Sequence, residues 1–356
     1  MANMKEIARV AGVSLGTVSH VLNGTAKVRE PLRKRVLEAV QKAAYQPSQL
    51  ARGLRRDKTN ILVMIVPDIL NPFFPGVVRG AEDVAFAHGY RLVLCNTDND
   101  HEKELAQLNA LQTYLPSGLI VIPSDLSELT AHVESYRKSG AAVVCVDRIP
   151  QHWVGDSVTT DNAVGAYSAT SFLIGLGHRQ LAVITGPLYL TNSQDRLKGF
   201  KRAIRKAGLE VPPHYMQESS FDRAGGYAKT KILLRLLPRP TAILACNDMI
   251  ALGSLIAARE EKLRCPEDIS IIGFDGLDLT ETTTPQLSSV YQSSYQLGAE
   301  AAQLALSRVA DKNSPVRNII LKTELKIRES VAPPPGKDGW NGIVAVKKQG
   351  RTVAKA

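Results

Sequence analysis

The chain has 356 residues, which exceeds the usual domain length of about 100 to 200 residues, so we expect a small module and a larger one. No apolar run approaches the roughly 20 residues of a membrane helix, and the first residues lack a secretory signal, so we expect a cytoplasmic protein without a membrane partner. The net charge of +10 is uneven, because residues 1–60 hold 12 Lys and Arg against 4 Asp and Glu. This basic segment indicates a polyanionic partner, with a merely solvated basic surface as the alternative.

The cysteines and histidines favour neither a metal site nor catalysis. The four cysteines have no C-x-x-C spacing and three of them end apolar runs, so we expect reduced core residues. The seven histidines form no pair at metal-ligand spacing on a helix. The body of the chain also lacks the motifs of hydrolases, P-loop kinases and dinucleotide enzymes, so no catalytic residue and no cofactor are expected.

The first predicted elements form a helix-turn-helix. Asn3 and Glu6 resemble a capping box, and Gly12 ends a helix whose apolar face comprises Ile7, Ala8, Val10 and Ala11. Ser14 is a good N-cap for a second helix, which buries Val18, Val21 and Leu22. The outward residues of that helix, which enter a DNA major groove in this motif, are Leu15, Gly16, Ser19, His20 and Asn23.

A third helix is predicted over residues 31–44. Its inward face comprises Leu32, Val36, Val40 and Ala43, which pack behind the first two helices. Its basic residues Arg33, Lys34 and Arg35 are left for solvent or phosphate.

Two motifs, AGVSLGTVSHVLNG over residues 11–24 and YQPSQLARGL over residues 45–54, resemble the head and hinge of the lactose-repressor/galactose-repressor family. The resemblance implies that Leu15, Gly16 and His20 read bases, and that Leu54 is an apolar wedge in the minor groove at the operator centre. The alternatives are a core position for Leu54 and a solvated helix position for His20. The candidate DNA-binding residues are Ser14, Leu15, Gly16, Thr17, Ser19, His20, Asn23, Ala51, Leu54 and Arg55.

From Ile61 onward, short apolar runs alternate with longer amphipathic ones, which predicts parallel strands covered by helices. Two such series follow one another, so we expect two similar lobes, each an open doubly wound sheet. The predicted strands are 61–66, 91–95, 119–122 and 142–146 in the first series and 180–184, 242–246 and 269–273 in the second. Helices are predicted over 195–207 and 249–262.

Polar and aromatic residues follow several of these strands. Open α/β sheets bind ligands beyond the carboxyl ends of their strands, so these loops are candidate sites. They contain Phe73, Asp147-Arg148, Asn192 to Arg196, Phe221, Asn247-Asp248 and Asp275, with Asp248 expected to cap the following helix. Carboxylate, amide, guanidinium and aromatic groups together suit a small polar ligand, especially a sugar, whose hydroxyls need both donors and acceptors.

The family resemblance extends over about residues 4–330, through the motifs VPDILNPFF, GHRQLAVITGP, DRLKGF, ACNDMIALG and IIGFDG. It implies a ligand-responsive transcription repressor whose core is similar to periplasmic sugar-binding proteins. The effector contacts that it implies are Phe73, Asn192, Arg196, Phe221, Asn247 and Asp275. A structural ion pair is the alternative for Arg196 and Asp275. Leu190 stands where some members have a charged ligand-binding residue, which argues against a strongly anionic effector.

The expected fold is α/β, with an all-α helix-turn-helix head and a two-lobed periplasmic-binding-protein-like core of doubly wound parallel sheets. The expected domains are the head (1–47), a hinge helix and linker (48–60), the effector-binding and dimerisation core (61–330) and a basic disordered tail (331–356). The tail lacks the leucine heptads of tetrameric family members, so we expect a homodimer on a palindromic double-stranded operator. An activator is the open alternative, because operator position decides that property. The head and the missing signal peptide argue against a periplasmic solute-binding protein.

Overall fold

The computed structural model describes residues 3–23, 26–43, 59–112, 114, 116–124, 129–150 and 152–336. Residue contacts divide the chain into two units, residues 1–60 with 110–117 and residues 61–109 with 118–356. The larger unit, the core, contains two sheets. None of the described helices is both long enough and apolar enough to cross a membrane.

Three short helices form the head: α1 (Met4–Ala11), α2 (Leu15–Asn23) and α3 (Glu30–Lys42). The predicted caps are present, since Asn3 Oδ1 accepts a hydrogen bond from Glu6 N at 3.0 Å and Ser14 Oγ accepts one from Thr17 N at 3.1 Å. Gly12 ends α1 in the left-handed region, at φ 59°. The helices enclose one small apolar core, made by Ile7, Ala8, Ala11, Val18, Val36 and Ala39.

Two head residues differ from the prediction. Val10 was placed on the buried face of α1, but it is 54% exposed. Arg35 was left for solvent or phosphate, but its Nη2 donates to Ala11 O at 2.5 Å and to Gly12 O at 3.3 Å. These carbonyls lie at the C-terminus of α1, where the last turn has no partners of its own and a positive charge is favourable. Arg35 therefore joins α3 to α1.

The first lobe has strands β1 (Ile61–Val66), β2 (Arg91–Asn96), β3 (Gly118–Val121), β4 (Ala142–Val146), β5 (Asp156–Thr160) and β11 (Asn318–Leu321). Its helices are α4 (Phe73–Ala87), α5 (His101–Gln112), α6 (Leu129–Lys138) and α11 (Ser294–Ala310). The strands form one parallel sheet in the order β11-β5-β4-β3-β1-β2. Strands β3 and β4 are buried along their whole length, as expected for apolar runs that helices cover on both faces.

The second lobe has strands β6 (Leu181–Thr185), β7 (Met216–Glu218), β8 (Ala242–Ala245), β9 (Ser270–Asp275), β10 (Ser288–Tyr291) and β12 (Glu324–Lys326). Its helices are α7 (Asn162–Gly175), α8 (Thr191–Lys206), α9 (Arg223–Leu234) and α10 (Asp248–Glu260). The sheet order is β12-β10-β9-β8-β6-β7, and only the β10–β12 pair is antiparallel. The two predicted lobes and their doubly wound sheets are confirmed.

The lobes interleave along the chain, whereas the sequence predicted two consecutive series. The chain passes to the second lobe after β5, returns after β10 to build α11 and β11, and passes over again for β12. The additional strands were missed because their sequences, among them DSVTT, SSVY and ELK, are short or polar and contain no long apolar run. Three connecting segments therefore join the lobes.

The second lobe continues past residue 330, where the sequence placed the start of the tail. Val331 packs against the apolar core of this lobe. Ala332 O accepts hydrogen bonds from His178 Nε2 at 2.8 Å and from Ser270 Oγ at 3.0 Å. Burial lowers the pKa of His178, so its ring is neutral at pH 7 and donates through Nε2.

Close backbone contact joins α4 to α11 in the first lobe. A Cβ atom on Gly298 would overlap Val77 O, and one on Gly80 would overlap Tyr295 O. Glycine at these positions lets the two helices approach more closely than any larger residue would permit. The first lobe therefore depends on a helix that the chain adds only after the second lobe is nearly complete.

We predict that Gly298→Ala lowers the stability of the core by about 1 to 3 kcal/mol, because the added methyl group must separate two packed backbones. Gly175→Ala is the matched control, since no heavy atom lies within 4 Å of its Cβ position at the end of α7. That variant should be unchanged or more stable by about 0.4 to 1 kcal/mol, because it restricts the unfolded chain. Urea denaturation followed by circular dichroism measures both, and a Gly298→Ala midpoint equal to the parent's would contradict the packing argument.

Candidate functional site

Residues that follow strands of both lobes meet in a cleft between the two sheets. This is the arrangement expected at the carboxyl ends of strands in open α/β sheets. The cleft is lined by Asn71, Phe73, Phe74, Asp147, Arg148, Asn192, Arg196, Phe221, Asn247, Asp275 and Gln292. All six predicted effector residues lie in this set, so the structure brings them together.

Arg196 lies in the cleft with 2% of its surface exposed. It belongs to α8, which begins at Thr191, four residues before the predicted start at residue 195, so Asn192 also lies in this helix rather than in a loop. Its Nε donates to Asn162 Oδ1 at 2.8 Å, its Nη1 donates to Cys246 O, and its guanidinium carbon lies 3.8 Å from the centre of the Phe274 ring. Nη1 is also 3.6 Å from Asp275 Oδ1. No hydrogen bond from Nη2 to a described residue is present, so this group retains donor capacity for a ligand.

Asp275 ends β9 at φ 112°, in the left-handed region that non-glycine residues rarely adopt. Its Oδ1 accepts from Gln292 Nε2 at 2.7 Å, and Gln292 Oε1 accepts from Thr160 Oγ1 at 2.6 Å. Burial raises the pKa of Asp275 to about 7, against the opposing effects of Arg196 and Gln292. Thr160 and Gln292 lie where the chain crosses between lobes, so this chain of hydrogen bonds ties the carboxyl group to two of the connecting segments.

The first lobe contributes a second pair of charges to the cleft. Asp147 Oδ2 accepts from Asn192 Nδ2 of the second lobe at 2.9 Å, and Arg148 Nη1 donates to Pro123 O at 3.2 Å. Two buried atoms of this pair have no hydrogen-bond partner among the described residues: Asp147 Oδ1 and Arg148 Nε. Leaving such an atom without a partner costs about 1 to 3 kcal/mol, so these atoms indicate a polar ligand that would bond to them.

Aromatic side chains form the apolar part of the cleft. The guanidinium carbon of Arg148 lies 5.8 Å from the centre of the Phe74 ring and 6.0 Å from that of Phe221. Phe73 contacts Phe74 edge to face, with ring centres 5.4 Å apart. The cleft therefore offers both ring surfaces and charged hydrogen-bonding groups.

Asn247 caps α10, a role that the sequence analysis gave to Asp248. Asn247 Oδ1 accepts from Ile250 N at 2.7 Å. Asp248 is instead fully buried and accepts hydrogen bonds at 2.8 Å and 2.6 Å from Leu277 N and Ser289 Oγ. The prediction for Asp248 was wrong because Asn and Asp are equally good caps, and the sequence does not show which of two neighbours begins the helix.

The lobes are close together in this structure. The cavity between the cleft residues measures about 20 Å³, room for about one water molecule. Two hydrogen bonds close it, Asn192 to Asp147 and Ile149 N to Thr191 Oγ1 at 3.0 Å. A groove of about 700 Å³ lies at its mouth and shares Asn71 and Phe221 with the cleft. A ligand larger than water therefore requires the lobes to separate.

Five cleft residues were not among the predicted contacts: Asn71, Phe74, Asp147, Arg148 and Gln292. Asp147 and Arg148 were noticed because they follow a predicted strand, but the family resemblance did not assign them a role. Gln292 follows β10, a strand that the sequence did not predict, so no signal pointed to it.

In the head, α2 presents the predicted DNA-reading surface. Val18 is fully buried, whereas Leu15 is 37% exposed and both Gly16 and His20 are exposed. Thr17 and Ser19 are half-buried. One face of α2 thus holds the head together and the other is accessible. Ala51, Leu54, Arg55 and the side chain of Asn23, which were also predicted to bind DNA, lie outside the part of the chain that the structure describes.

Known families match both parts of the chain. Residues 3–48 match the bacterial regulatory proteins of the lacI family, and residues 170–331 match the periplasmic binding protein-like domain. The ribose operon repressor of Haemophilus influenzae is 35% identical over 331 residues, which cover 93% of this chain and 99% of that protein. The HTH-type transcriptional repressor PurR of Pasteurella multocida is 36% identical over 331 residues, again 93% of this chain and 99% of that protein.

Solved structures agree with these matches. A LacI family transcriptional regulator from Enterococcus faecium with bound ribose is 30% identical, with a TM-score of 0.70 over 77% of this chain and 99% of that chain. A lac repressor dimer bound to operator and the anti-inducer ONPF is 23% identical and shares the fold, with a TM-score of 0.83 over 93% of this chain and 99% of that chain.

A helix-turn-helix head followed by a two-lobed cleft defines a DNA-binding regulator that responds to a small molecule. The chain belongs to the lacI family of bacterial regulatory proteins. The resemblance to this family, seen in the head and core motifs, is confirmed.

The raised pKa of Asp275 predicts a pH-dependent stability. Folding favours the protonated form of Asp275. Its contribution to the free energy of unfolding is therefore fully present below the ordinary pKa near 4 and is lost as the pH rises through about 7. Asp275→Asn stays neutral, and its free energy of unfolding relative to the parent should rise by about 1 to 3 kcal/mol between pH 5 and 8. Urea denaturation across this range measures the difference, with the exposed Asp278→Asn as control. A difference that does not change with pH would mean that Asp275 is already ionised at pH 5.

Proposed function

We propose that this protein is a transcriptional repressor whose affinity for a palindromic operator is controlled by a small, neutral, polar effector, with a sugar as the best match. It acts in the cytoplasm as a homodimer and catalyses no reaction. The observation that carries the proposal is the presence in the cleft of two buried atoms without hydrogen-bond partners among the described residues, Asp147 Oδ1 and Arg148 Nε. They lie in a core that follows a head with an accessible, well-capped recognition helix.

The charges of the cleft favour a neutral effector. Arg148 Nε lies 3.8 Å from Asp147 Oδ2 and Arg196 Nη1 lies 3.6 Å from Asp275 Oδ1, so each of these arginines already has a carboxyl group beside it. Leu190, which is almost fully buried, supplies no additional cation. A charged effector would therefore leave one charge buried without a partner, which is strongly unfavourable.

The hydrogen-bonding groups of the cleft favour hydroxyls. A hydroxyl can donate to Asp147 Oδ1 and accept from Arg148 Nε or from the remaining N–H groups of Arg196. The rings of Phe73, Phe74 and Phe221 suit the C–H faces of a sugar ring. The bound ribose of the Enterococcus faecium regulator and the name of the Haemophilus influenzae relative support a pentose as the first compound to test.

Effector binding requires a change in the relation between the lobes, because the cleft has no room in the closed form. The effector would replace the Asn192 to Asp147 hydrogen bond and change the contacts of Asp275, whose partner Gln292 lies in a connecting segment. A ligand that binds one arrangement of the lobes better than another shifts their populations. We propose that this shift is transmitted through residues 48–60 to the head.

A homodimer is supported by the shared fold of a dimeric regulator. The lac repressor that shares this fold is a dimer on its operator, and two heads related by a two-fold axis match a palindromic site.

We predict that Leu15→Ala weakens binding to an operator selected from random duplexes by about 5- to 100-fold, the loss expected for an apolar base contact. Binding to unrelated DNA and its salt dependence should stay unchanged, because no phosphate contact is removed. Val10→Ala is the matched control, since it also removes an exposed aliphatic side chain from the head but lies on α1. Fluorescence anisotropy over a series of salt concentrations measures these affinities for the parent and for both variants. Equal operator affinities of Leu15→Ala and Val10→Ala would exclude Leu15 from base reading.

We predict that Arg196→Met abolishes the effector response and weakens effector binding by about 10- to 150-fold, because it removes charged hydrogen bonds worth about 1.5 to 3 kcal/mol. Arg202→Met on the same helix is the control, because Arg202 is exposed and its guanidinium carbon lies 4.9 Å from the centre of the Tyr167 ring on α7, outside the cleft. Titration calorimetry with ribose and other sugars measures the affinity, and operator titration shows whether DNA binding is retained. Undiminished effector affinity in Arg196→Met would remove this residue from the site.

A further inference from the structure

Gly186 lies directly after β6, next to the effector cleft, and it is buried. It belongs to the motif GHRQLAVITGP, which carried the family resemblance but gave this residue no role. Its φ lies outside the left-handed region, so the turn that leaves β6 does not require glycine through a positive φ. The reason for glycine at this position must therefore lie in the space around it.

The ring of Phe221 fills the space that a side chain on Gly186 would need. A Cβ atom at this position would overlap three atoms of the ring, Cζ, Cε1 and Cε2. Packed carbon atoms stay about 3.5 to 4.0 Å apart, so the ring and a methyl group cannot occupy these positions together. Because residue 186 has no side chain, the Phe221 ring can lie directly against the end of β6.

The loops after β6 and β7 cannot easily separate to make room for a side chain on Gly186. Ser219 N donates to Thr185 O at 3.0 Å, and Leu188 N donates to Glu218 Oε1 at 2.9 Å. These hydrogen bonds join the two loops on both sides of Gly186. A methyl group at this position would therefore displace the aromatic ring rather than the backbone.

The position of the Phe221 ring matters for the effector cleft, because the ring lies beside both arginines. Its centre is 5.9 Å from the guanidinium carbon of Arg196 and 6.0 Å from that of Arg148. Asn247 Nδ2 donates to Phe221 O at 3.2 Å and holds the backbone in place. The ring already packs against the apolar core of the second lobe, so it cannot turn inward. A displaced ring would either narrow the space beside the arginines or leave the cleft.

We propose that Gly186 is a positioning residue of the effector site, which places the Phe221 ring where a bound sugar ring contacts it. This inference rests on the proposed function of the cleft. Gly186→Ala should displace the ring and weaken effector binding. Phe221→Leu should remove this effect of Gly186→Ala, because leucine lacks the three ring atoms that the new methyl group would overlap.

The first measurement follows the Phe221 ring without any effector. The full-length chain is labelled with ¹³C at the ring Cζ of its seven phenylalanines, and the Phe221 signal is identified by its loss in Phe221→Leu. This signal should shift in Gly186→Ala. It should stay in place in the control Gly175→Ala, where no heavy atom lies within 4 Å of the new Cβ. A Phe221 signal that is the same in Gly186→Ala and in the parent overturns the proposal.

The second measurement is titration calorimetry with D-ribose on four chains: the parent, Gly186→Ala, Phe221→Leu and the double variant. We expect ribose to bind Gly186→Ala about 5- to 150-fold more weakly than the parent, the range that corresponds to overpacking a buried site. The double variant should bind ribose as tightly as Phe221→Leu alone, a rescue that general damage to the fold would not allow.

Two calorimetric results contradict the role of Gly186. One is an equal ribose affinity of Gly186→Ala and the parent. The other is a loss on adding Gly186→Ala to Phe221→Leu that equals the loss in the parent, because the ring would then not transmit the effect. A parent that binds no ribose counts against the proposed effector only, since the ring signal still decides whether Gly186 positions Phe221.

Discussion

The positive charge of Arg196 must be neutralised inside the core, and the arrangement of the second lobe follows from that requirement. Removing an ion from water costs several kcal/mol even after relaxation, so every neighbour of this guanidinium has to compensate. Asn162, Cys246 O and Asp275 do so from three different elements, while the ring of Phe274 covers one face. The ends of the strands are thus positioned around a charge, and the same charge is available to a ligand.

Contacts within a lobe differ in kind from contacts between the lobes. Inside the first lobe, α4 and α11 meet backbone to backbone at Gly80 and Gly298, and such packing tolerates little displacement. Across the cleft, by contrast, the lobes are joined by polar contacts, of which Asn192 to Asp147 is one. A hydroxylated ligand can substitute for such a hydrogen bond but not for a packed backbone. A change in the relation between the lobes therefore requires the loss of hydrogen bonds such as this one, but not the separation of packed backbones.

The sequence predicted those strands that consist of continuous apolar residues. The bounds of β1 and β4 agree with their predicted ranges, because both strands are continuous stretches of aliphatic residues. The strands β5 and β10 were missed because buried serine and threonine, satisfied by hydrogen bonds, leave no hydrophobic signal. Gln292 was not predicted as a cleft residue, because its position depends on where the chain crosses between the lobes. The six predicted effector residues stand in loops that the predicted strands indicated, and the family motifs selected them from those loops.

The return of α11 and β11 to the first lobe has a consequence for how the protein is made. During synthesis, the strands β1 to β5 leave the ribosome before any of the second lobe, yet their sheet lacks an edge strand and a covering helix until residues 294–321 have been added. The sheet of the second lobe likewise lacks its edge strand β12 until residues 324–326 have been added. Neither lobe can complete its core while the chain is still being synthesised, because each needs strands that lie near the end of the sequence. Both lobes must therefore complete folding late. A ribosome that stops before residue 294 releases a chain with two unfinished sheets and exposed apolar faces, the kind of species that chaperones retain.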